Sequence, residues 1–414
     1  MPSSNRLLVL GADAGVLAFS ARAHPEIFLV ERKDKFKPEQ MRWCSECLIA
    51  DYRSIEDIFP LAAAAHACRP FAQVYSPTEM GLVPAAKLNE LLGLGGASVQ
   101  TAATLKNKLL MRKKLQENNL SVVKFAIGTS RADLASFSAS LSRPMIVKPV
   151  DSSGSFGVFM LGYPNSEPAV QKLFDRLQAC GLKEFLMEEF LAGTEISVES
   201  FSFHGRHILL ACTQKFIADN FVEIGHVVPA LLDHDTSRLV AELVPRFLDL
   251  MGIKDGPCHT EVMLTDRGPY IIESHNRTGG DHIPQLVEMA VGVQLFELAF
   301  SWPVGRVAPL ERAPEVKGAG AVRFFWPQPG RVVSIQGMEQ AARMPGIEEM
   351  HLRVGVGDEV PVVHRSADRV GFISARGKTP EEALNRCMRA MGEVKIETVS
   401  DAPLNAGKTL AVAS

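Results

Sequence analysis

Cys258-His-Thr-Glu-Val-Met-Leu-Thr-Asp-Arg-Gly-Pro-Tyr-Ile-Ile-Glu273, followed by Ser-His-Asn-Arg277-Thr-Gly-Gly-Asp281, is the stretch from which the rest of the chain is best read. It predicts two strands, about 258–265 and 269–274, joined at Asp266-Arg267-Gly268 by a three-residue loop ending in a left-handed glycine. That register sets residue 265 opposite 269, and therefore Glu261 opposite Glu273. Directly opposed Cβ atoms lie about 4.5–5.5 Å apart. Two carboxylates so placed repel, and one stays protonated unless a cation lies between them. Hard oxygen ligands favour Mg²⁺, which also binds substrate phosphates. The alternative is a solvent-facing pair on a polar sheet face, and a slip of one residue would part the two acids.

The residues just downstream add a fixed cation and two glycines. Arg277 offers a planar fork for a carboxylate or phosphate. Gly279 and Gly280 would let backbone amides approach an anion closely. A surface arginine in a turn is the plainer reading. A helix is expected after Asp281, with Pro284 in its first turn.

Upstream, Met145-Ile-Val-Lys148 leads into Asp151-Ser-Ser153-Gly154-Ser155-Phe-Gly157 and then Phe159-Met-Leu161. Strand, Gly/Ser loop, strand makes a hairpin whose amides and hydroxyls could fold over phosphate oxygens, with Lys148 supplying charge. The lysine precedes the loop, so this is not a P-loop, and an ordinary polar turn is the alternative. Lys108 and Arg112 share a helix face at i, i+4, where an anion would relieve their repulsion. That helix is expected from a Thr104 cap to about Asn118, and the basic run Arg112-Lys113-Lys114 reads as a solvated face. Phe185-Leu-Met-Glu188-Glu189-Phe190-Leu191-Ala-Gly-Thr-Glu195 reads as strand, tight turn, strand. Its backbone could pair with adenine and Glu195 with ribose hydroxyls, or it is a plain hairpin with exposed acids.

The flanks are less chemical. Residues 6–31 read as strand, glycine turn, helix, strand, ending at Glu31. An acid after the second strand suggests NAD, but Gly11 and Gly15 form an incomplete dinucleotide fingerprint, leaving a βα unit of a small parallel domain. After Pro303–Pro314 come short strands at about 321–325, 332–335, 351–354 and 370–375, then a helix capped by Thr379-Pro-Glu-Glu382. At 414 residues the chain should form two or three domains. A formal charge of −3 and a pI near 6.4 leave no basic footprint for nucleic acid. Seven scattered cysteines fit a reducing compartment, and Cys44 and Cys47 read as free thiols rather than a zinc or redox pair. No apolar run approaches bilayer-spanning length; residues 290–300 come closest, interrupted by Gln294 and Glu297. A cytoplasmic protein with no nucleic-acid or membrane partner is expected.

In order, Lys108, Lys148, the Gly154–Gly157 loop, the Glu188–Leu191 hinge, Glu195, Glu261 and Glu273-x-x-x-Arg277 resemble the ATP-grasp superfamily over about 101–300. The resemblance implies a mixed α+β and α/β fold: an ATP-grasp fold with a Rossmann-like N-terminal domain and a β-rich C-terminal domain. It implies a pre-ATP-grasp domain over 1–100 and an ATP-grasp domain over 101–310, with a lid subdomain at about 120–190. A C-terminal biotin-carboxylase-like domain would follow over 311–414, where Gly371-Phe-Ile-Ser-Ala-Arg-Gly-Lys-Thr-Pro-Glu-Glu-Ala is similar to that branch.

Within it, Phe221-Val-Glu223-Ile-Gly-His226-Val-Val-Pro229 makes the chain similar to the L-amino acid ligases, which make dipeptides. The resemblance then implies ATP held by Lys108, Lys148, Ser153, Gly154, Ser155, Gly157, Glu188, Glu189, Phe190, Leu191 and Glu195. Two Mg²⁺ ions, replaceable by Mn²⁺, would sit on Glu261 and Glu273. Glu223, His226 and Arg277 would be catalytic and, with Gly279 and Gly280, surround the amino acids. Many relatives read Glu-x-Asn-x-Arg, whereas here His275 stands at the middle position and Asn276 follows, so either the second metal loses a ligand or Asn276 turns inward, and whether His275 or Asn276 contacts that metal stays open. A homodimer is implied, and related enzymes often serve peptide-antibiotic production. The rivals are another ATP-grasp carboxylate–amine ligase, a biotin-type carboxylase, and a non-catalytic nucleotide-binding or NAD-dependent protein.

Overall fold

A computed structural model describes residues 4–152 and 154–399; the Ser153 expectation lies outside the described residues. The N-terminal strands β1 (Arg6–Leu10), β2 (Glu26–Glu31), β3 (Glu46–Ile49) and β4 (Gln73–Tyr75) form a parallel sheet in the order β3-β2-β1-β4. The glycine turn after β1 is closed by its own neighbours rather than shaped for a dinucleotide. Glu31 accepts from Ala12 N at 3.1 Å and Gln40 Nε2 at 3.2 Å, and the Tyr52 ring fills the space above Gly11. The acid that suggested NAD is spent on holding the turn. Cys44 and Cys47 are free.

The strands β5 (Phe125–Gly128), β6 (Met145–Lys148), β7 (Phe159–Leu161) and β8 (Phe185–Glu189) make a small antiparallel sheet in the order β5-β8-β6-β7. It is covered by helices Arg131–Ala139 and Glu167–Ala179 through Leu134, Phe137, Leu173 and Leu177. The next strands are β9 (Thr194–Phe203), β10 (Arg206–Ile217), β11 (Glu223–Val228), β12 (Gly256–Thr265) and β13 (Gly268–His275). The segment 185–203 is therefore not a hairpin, because β8 and β9 belong to different sheets and residues 190–193 carry the chain from one to the other. This places the expected hinge between two sheets.

The C-terminal block supplies β14 (Ala319–Phe324), β15 (Gly330–Gln336), β16 (Ile347–Leu352), β17 (Glu359–Val360), β18 (Gly371–Gly377) and β19 (Lys395–Val399). Three of these extend the large sheet, whose order is β13-β12-β9-β10-β11-β14-β18-β16, so the sheet runs across residue 310. The other three form a sheet β17-β15-β19. Helix Pro380–Glu393 starts where expected, with Thr379 capping Glu382 N. Alternation along β9 sorts the two faces of the large sheet. Ile196 and Val198 pack on helix His234–Met251, while Phe201 and Phe203 pack on helices Ile283–Val291 and Leu295–Ser301. Among the described residues no single helix is long and apolar enough to cross a membrane; that last pair bends by 97°.

The β12–β13 register reaches the expected pairing by an unexpected route. The turn has two residues, with Thr265 opposite Gly268, which by itself would bring Ile272 opposite Glu261. A bulge corrects it: Val262 pairs with Ile271, Ile272 is extra, and Glu261 pairs with Glu273. The extra residue also flips the alternation, so Ile271 enters the core and Glu273 joins the opposite face.

The helix expected from Thr104 is two helices, Val99–Lys106 and Lys108–Glu117. Asn107 is extended and caps the second by accepting from Leu110 N at 3.1 Å. The break turns Lys108 and Arg112 inward. Arg112 is 1% exposed, so the solvated-face reading of that residue is wrong.

Candidate active site

The two sheets and the helix at Lys108 enclose a cavity of about 390 Å³. On the small-sheet side, Glu188 is buried between two cations: Arg112 Nε at 2.6 Å and Lys148 Nζ at 2.7 Å. Arg112 also donates to Ile271 O at 2.6 Å, tying its helix to β13. Burial opposes ionisation of Glu188, but Arg112 and Lys148 outweigh it and lower its pKa from 4.5 to about 2. Glu188 therefore stabilises the fold fully above pH 4.5, and that contribution disappears as pH falls towards 2. Urea melts at pH 6 and pH 3 should show the stability gap between wild type and Glu188→Gln shrinking at the lower pH. Glu189, Phe190 and Leu191 line the same wall, with Lys148 beside them.

On the large sheet, alternation puts Glu195, Lys215, His226, His259 and Glu261 on one face as neighbours across strands. Lys215 is the hub. Its ammonium contacts Glu195, lies 2.7 Å from Glu261 and 3.6 Å from Glu223. Burial would discharge Lys215, yet Glu195 and Glu261 hold its pKa well above the ordinary value. Lys108 Nζ sits 2.6 Å from Glu273 Oε2 and donates to Ser152 O at 2.7 Å. Both members of the opposed pair are kept ionised, and the cations beside them are lysine ammoniums. Against burial, Lys215 brings Glu261 to about 2 and Lys108 brings Glu273 well below 4.5. His259 Nε2 lies 3.5 Å from Glu261, and its Nδ1 meets Glu199 at 2.9 Å.

Two ionised, hard carboxylates on one wall suit a divalent cation. Among the described residues no three His, Cys, Asp or Glu side chains are grouped to cage one by themselves. His275 shares the face of Glu273, with Nε2 3.2 Å from Oε1, whereas Asn276 turns away and donates to Pro257 O at 2.9 Å. Of the two candidates for an additional metal contact, only His275 faces the cavity.

At the far end, Glu223 accepts from Ser366 Oγ at 2.6 Å, and His226 Nε2 lies 3.2 Å from Asp281 Oδ2. Arg277 donates to Thr278 O at 2.7 Å and lies 3.3 Å from Glu79, which reaches in from the N-terminal block. Gly280 lines the cavity, but Gly279 lies behind the wall. A Cβ there would sit 2.9 Å from His259 Nδ1, so Gly279 is explained by packing rather than by approach to an anion. The glycine loop closes the top: Gly154, Ser155 and Gly157 all take positive φ. Ser155 Oγ donates to Phe221 O at 2.8 Å, and Gly154 and Ser155 line the cavity. Sequence reading assigned no role to Lys215, His259, Glu199, Asp281, Ser366 or Arg369. Lys215 carried one signal, a lone lysine in a β-branched and apolar strand.

Residues 141–285 match the family described as ATP-grasp domain, and residues 323–399 match L-amino acid ligase C-terminal domain 2. An alanine–anticapsin ligase of Bacillus subtilis (strain 168) is 24% identical over 296 residues, covering 66% of this chain and 59% of that protein. The chain therefore spans less than two thirds of that relative. An L-arginine-specific L-amino acid ligase of Bacillus subtilis is 25% identical over 301 residues, covering 70% of this chain and 71% of that protein. The crystal structure of an L-amino acid ligase from Bacillus licheniformis superposes with a TM-score of 0.84 at 21% identity, covering 97% of this chain and 100% of that one. The chain thus carries an ATP-grasp domain joined to an L-amino acid ligase C-terminal domain, on the fold of an L-amino acid ligase.

Proposed function

We propose that the protein is an ATP-dependent ligase that joins two L-amino acids through an aminoacyl phosphate, releasing ADP and phosphate. The observation that carries this reading is the Glu261–Glu273 pair, ionised beside Lys108 and Lys215 and lining the same cavity as Glu223, His226 and Arg277. The names of the relatives, ligases of amino acids, point the same way.

ATP lies between the sheets, its phosphates met by Lys108, Lys148 and the amides of the glycine loop. The backbone of 188–191 faces the base, and Glu195 the ribose. Glu261 and Glu273 would hold two Mg²⁺, or Mn²⁺ in their place, which when bound neutralise phosphate charge. A carboxylate oxygen of the first amino acid attacks the γ-phosphorus, and the β–γ bridging oxygen leaves with ADP. The amine of the second amino acid then attacks the acyl carbon, Arg277 stabilises the oxyanion, and phosphate departs with the former carboxylate oxygen. Glu223 or His226 holds the ammonium group or takes its proton. The glycine loop keeps water from the acyl phosphate.

The domain division at about 100 and 310, with a lid at about 120–190, is part of this reading. So are a homodimer, a cytoplasmic location, and the lack of nucleic-acid or membrane partners. ADP release measured against free amino acids, singly and in pairs, tests the activity. Pairs should release ADP and yield dipeptide. Release that requires bicarbonate and biotin instead would overturn the assignment.

A further inference from the structure

Asp281 and its neighbour His282 take φ of 53° and 64°, left-handed values that cost a non-glycine residue energy and persist only where surrounding contacts hold them. The contacts on Asp281 come from a segment about 90 residues away in sequence. Arg369 grips both carboxylate oxygens, Nη1 to Oδ2 at 2.8 Å and Nη2 to Oδ1 at 2.5 Å. The guanidinium is itself fixed: Nε donates to Ser366 O at 2.8 Å, Nη1 donates to Glu223 O at 3.1 Å, and Cζ lies 3.6 Å from the Phe324 ring centre. Asp281 then reaches His226 Nε2 through the same oxygen, Oδ2.

Ser366, three residues before Arg369, holds the Glu223 carboxylate at 2.6 Å, and its amide faces Gly154 O of the glycine loop at 3.5 Å. Both residues assigned to the amine-binding end are thus held from one short C-terminal segment, which also meets the loop that closes the cavity. A bidentate guanidinium–carboxylate pair specifies orientation as well as charge.

We propose that Arg369, acting through Asp281, is a positioning residue that holds His226 in place for the second amino acid's amine. This rests on the dipeptide-ligase reading. A ring left to turn about its side-chain bonds loses the attacking geometry, and displacements of about 1 Å can cost roughly 100-fold in such a step. The intermediate then survives long enough for water to compete, so the defect falls on coupling rather than on nucleotide binding.

The test compares wild type, Arg369→Met, Arg369→Lys and the double variant Arg369→Met/Asp281→Asn. ADP and dipeptide are quantified together, alongside KM for ATP and for each amino acid. For Arg369→Met the proposal expects KM for the second amino acid to rise roughly tenfold or more and dipeptide per ADP to fall, with KM for ATP within about twofold of wild type. Arg369→Lys, which keeps the charge but loses the fork, should fall between. The double variant leaves no unpaired buried charge and serves where the single one does not fold. Its coupling should stay low although its melting temperature recovers. Full recovery of coupling with stability, or an unchanged ratio of dipeptide to ADP, would overturn the positioning role. If wild type makes no dipeptide from any pair, the ligase reading falls and this inference with it.

Discussion

Glu273→Gln should abolish ATP-dependent product formation, and Glu261→Gln should lower it by roughly 100- to 1,000-fold, the range seen when a preorganised electrostatic contact is removed. Glutamine keeps the shape and removes the charge. At position 273 it leaves the buried Lys108 ammonium facing a neutral amide and takes away one of the two carboxylates proposed to hold the metal. At position 261 Lys215 retains Glu195 and Glu223, so the site loses metal affinity while its charge balance suffers less. A melting experiment separates binding from folding. Mg²⁺-ATP should raise the wild-type melting temperature and leave that of Glu273→Gln nearly unmoved. Equal stabilisation of both proteins would count against a metal at this pair.

Arg112→Met is the second large effect, on stability rather than on chemistry. Arg112 is 1% exposed and joins the helix Lys108–Glu117 to β8 through Glu188 and to β13 through Ile271 O. Removing one partner of a buried ion pair costs about 3–5 kcal/mol, because the remaining groups keep their desolvation penalty. Lys148 still neutralises Glu188, which places the loss at the lower end of that range. Denaturant melts should show a lower midpoint with an unchanged slope. A loss below about 1 kcal/mol would mean that Arg112 behaves as a surface arginine after all.

The opposed acids were legible in the sequence because alternation and a short turn leave few registers. The pattern predicts a turn one residue longer than the one present, and the bulge at Ile272 makes up the difference. Bulges answer to core packing, here Val262 and Ile271 against the helix His234–Met251, and single-sequence patterns carry no mark of that demand. Arg112 was misread for a related reason. Its exposure depends on the turn of chain at Asn107, and an asparagine within a helical pattern signals a cap no more than it signals an ordinary surface residue.

Lys215 and Arg369 lay beyond sequence reasoning for topological causes. Lys215 acquires its three carboxylate neighbours only because β10 is placed between β9 and β11. Arg369 reaches Asp281 only because the C-terminal strands continue the large sheet, bringing β14 and β18 alongside β11. The β12–β13 hairpin and the residues just after it showed the side of the cavity that carries the paired carboxylates. The amine side is assembled across long separations and became visible only with the fold.

Oxygen transfer is the most direct probe of the central claim. Incubating the protein with ATP, Mg²⁺ and a mixture of amino acids labelled with ¹⁸O in their carboxylates, followed by mass spectrometry, should yield a dipeptide and inorganic phosphate bearing one labelled oxygen. Phosphate without label, or ADP release with no dipeptide in the mixture, would contradict an aminoacyl-phosphate ligase.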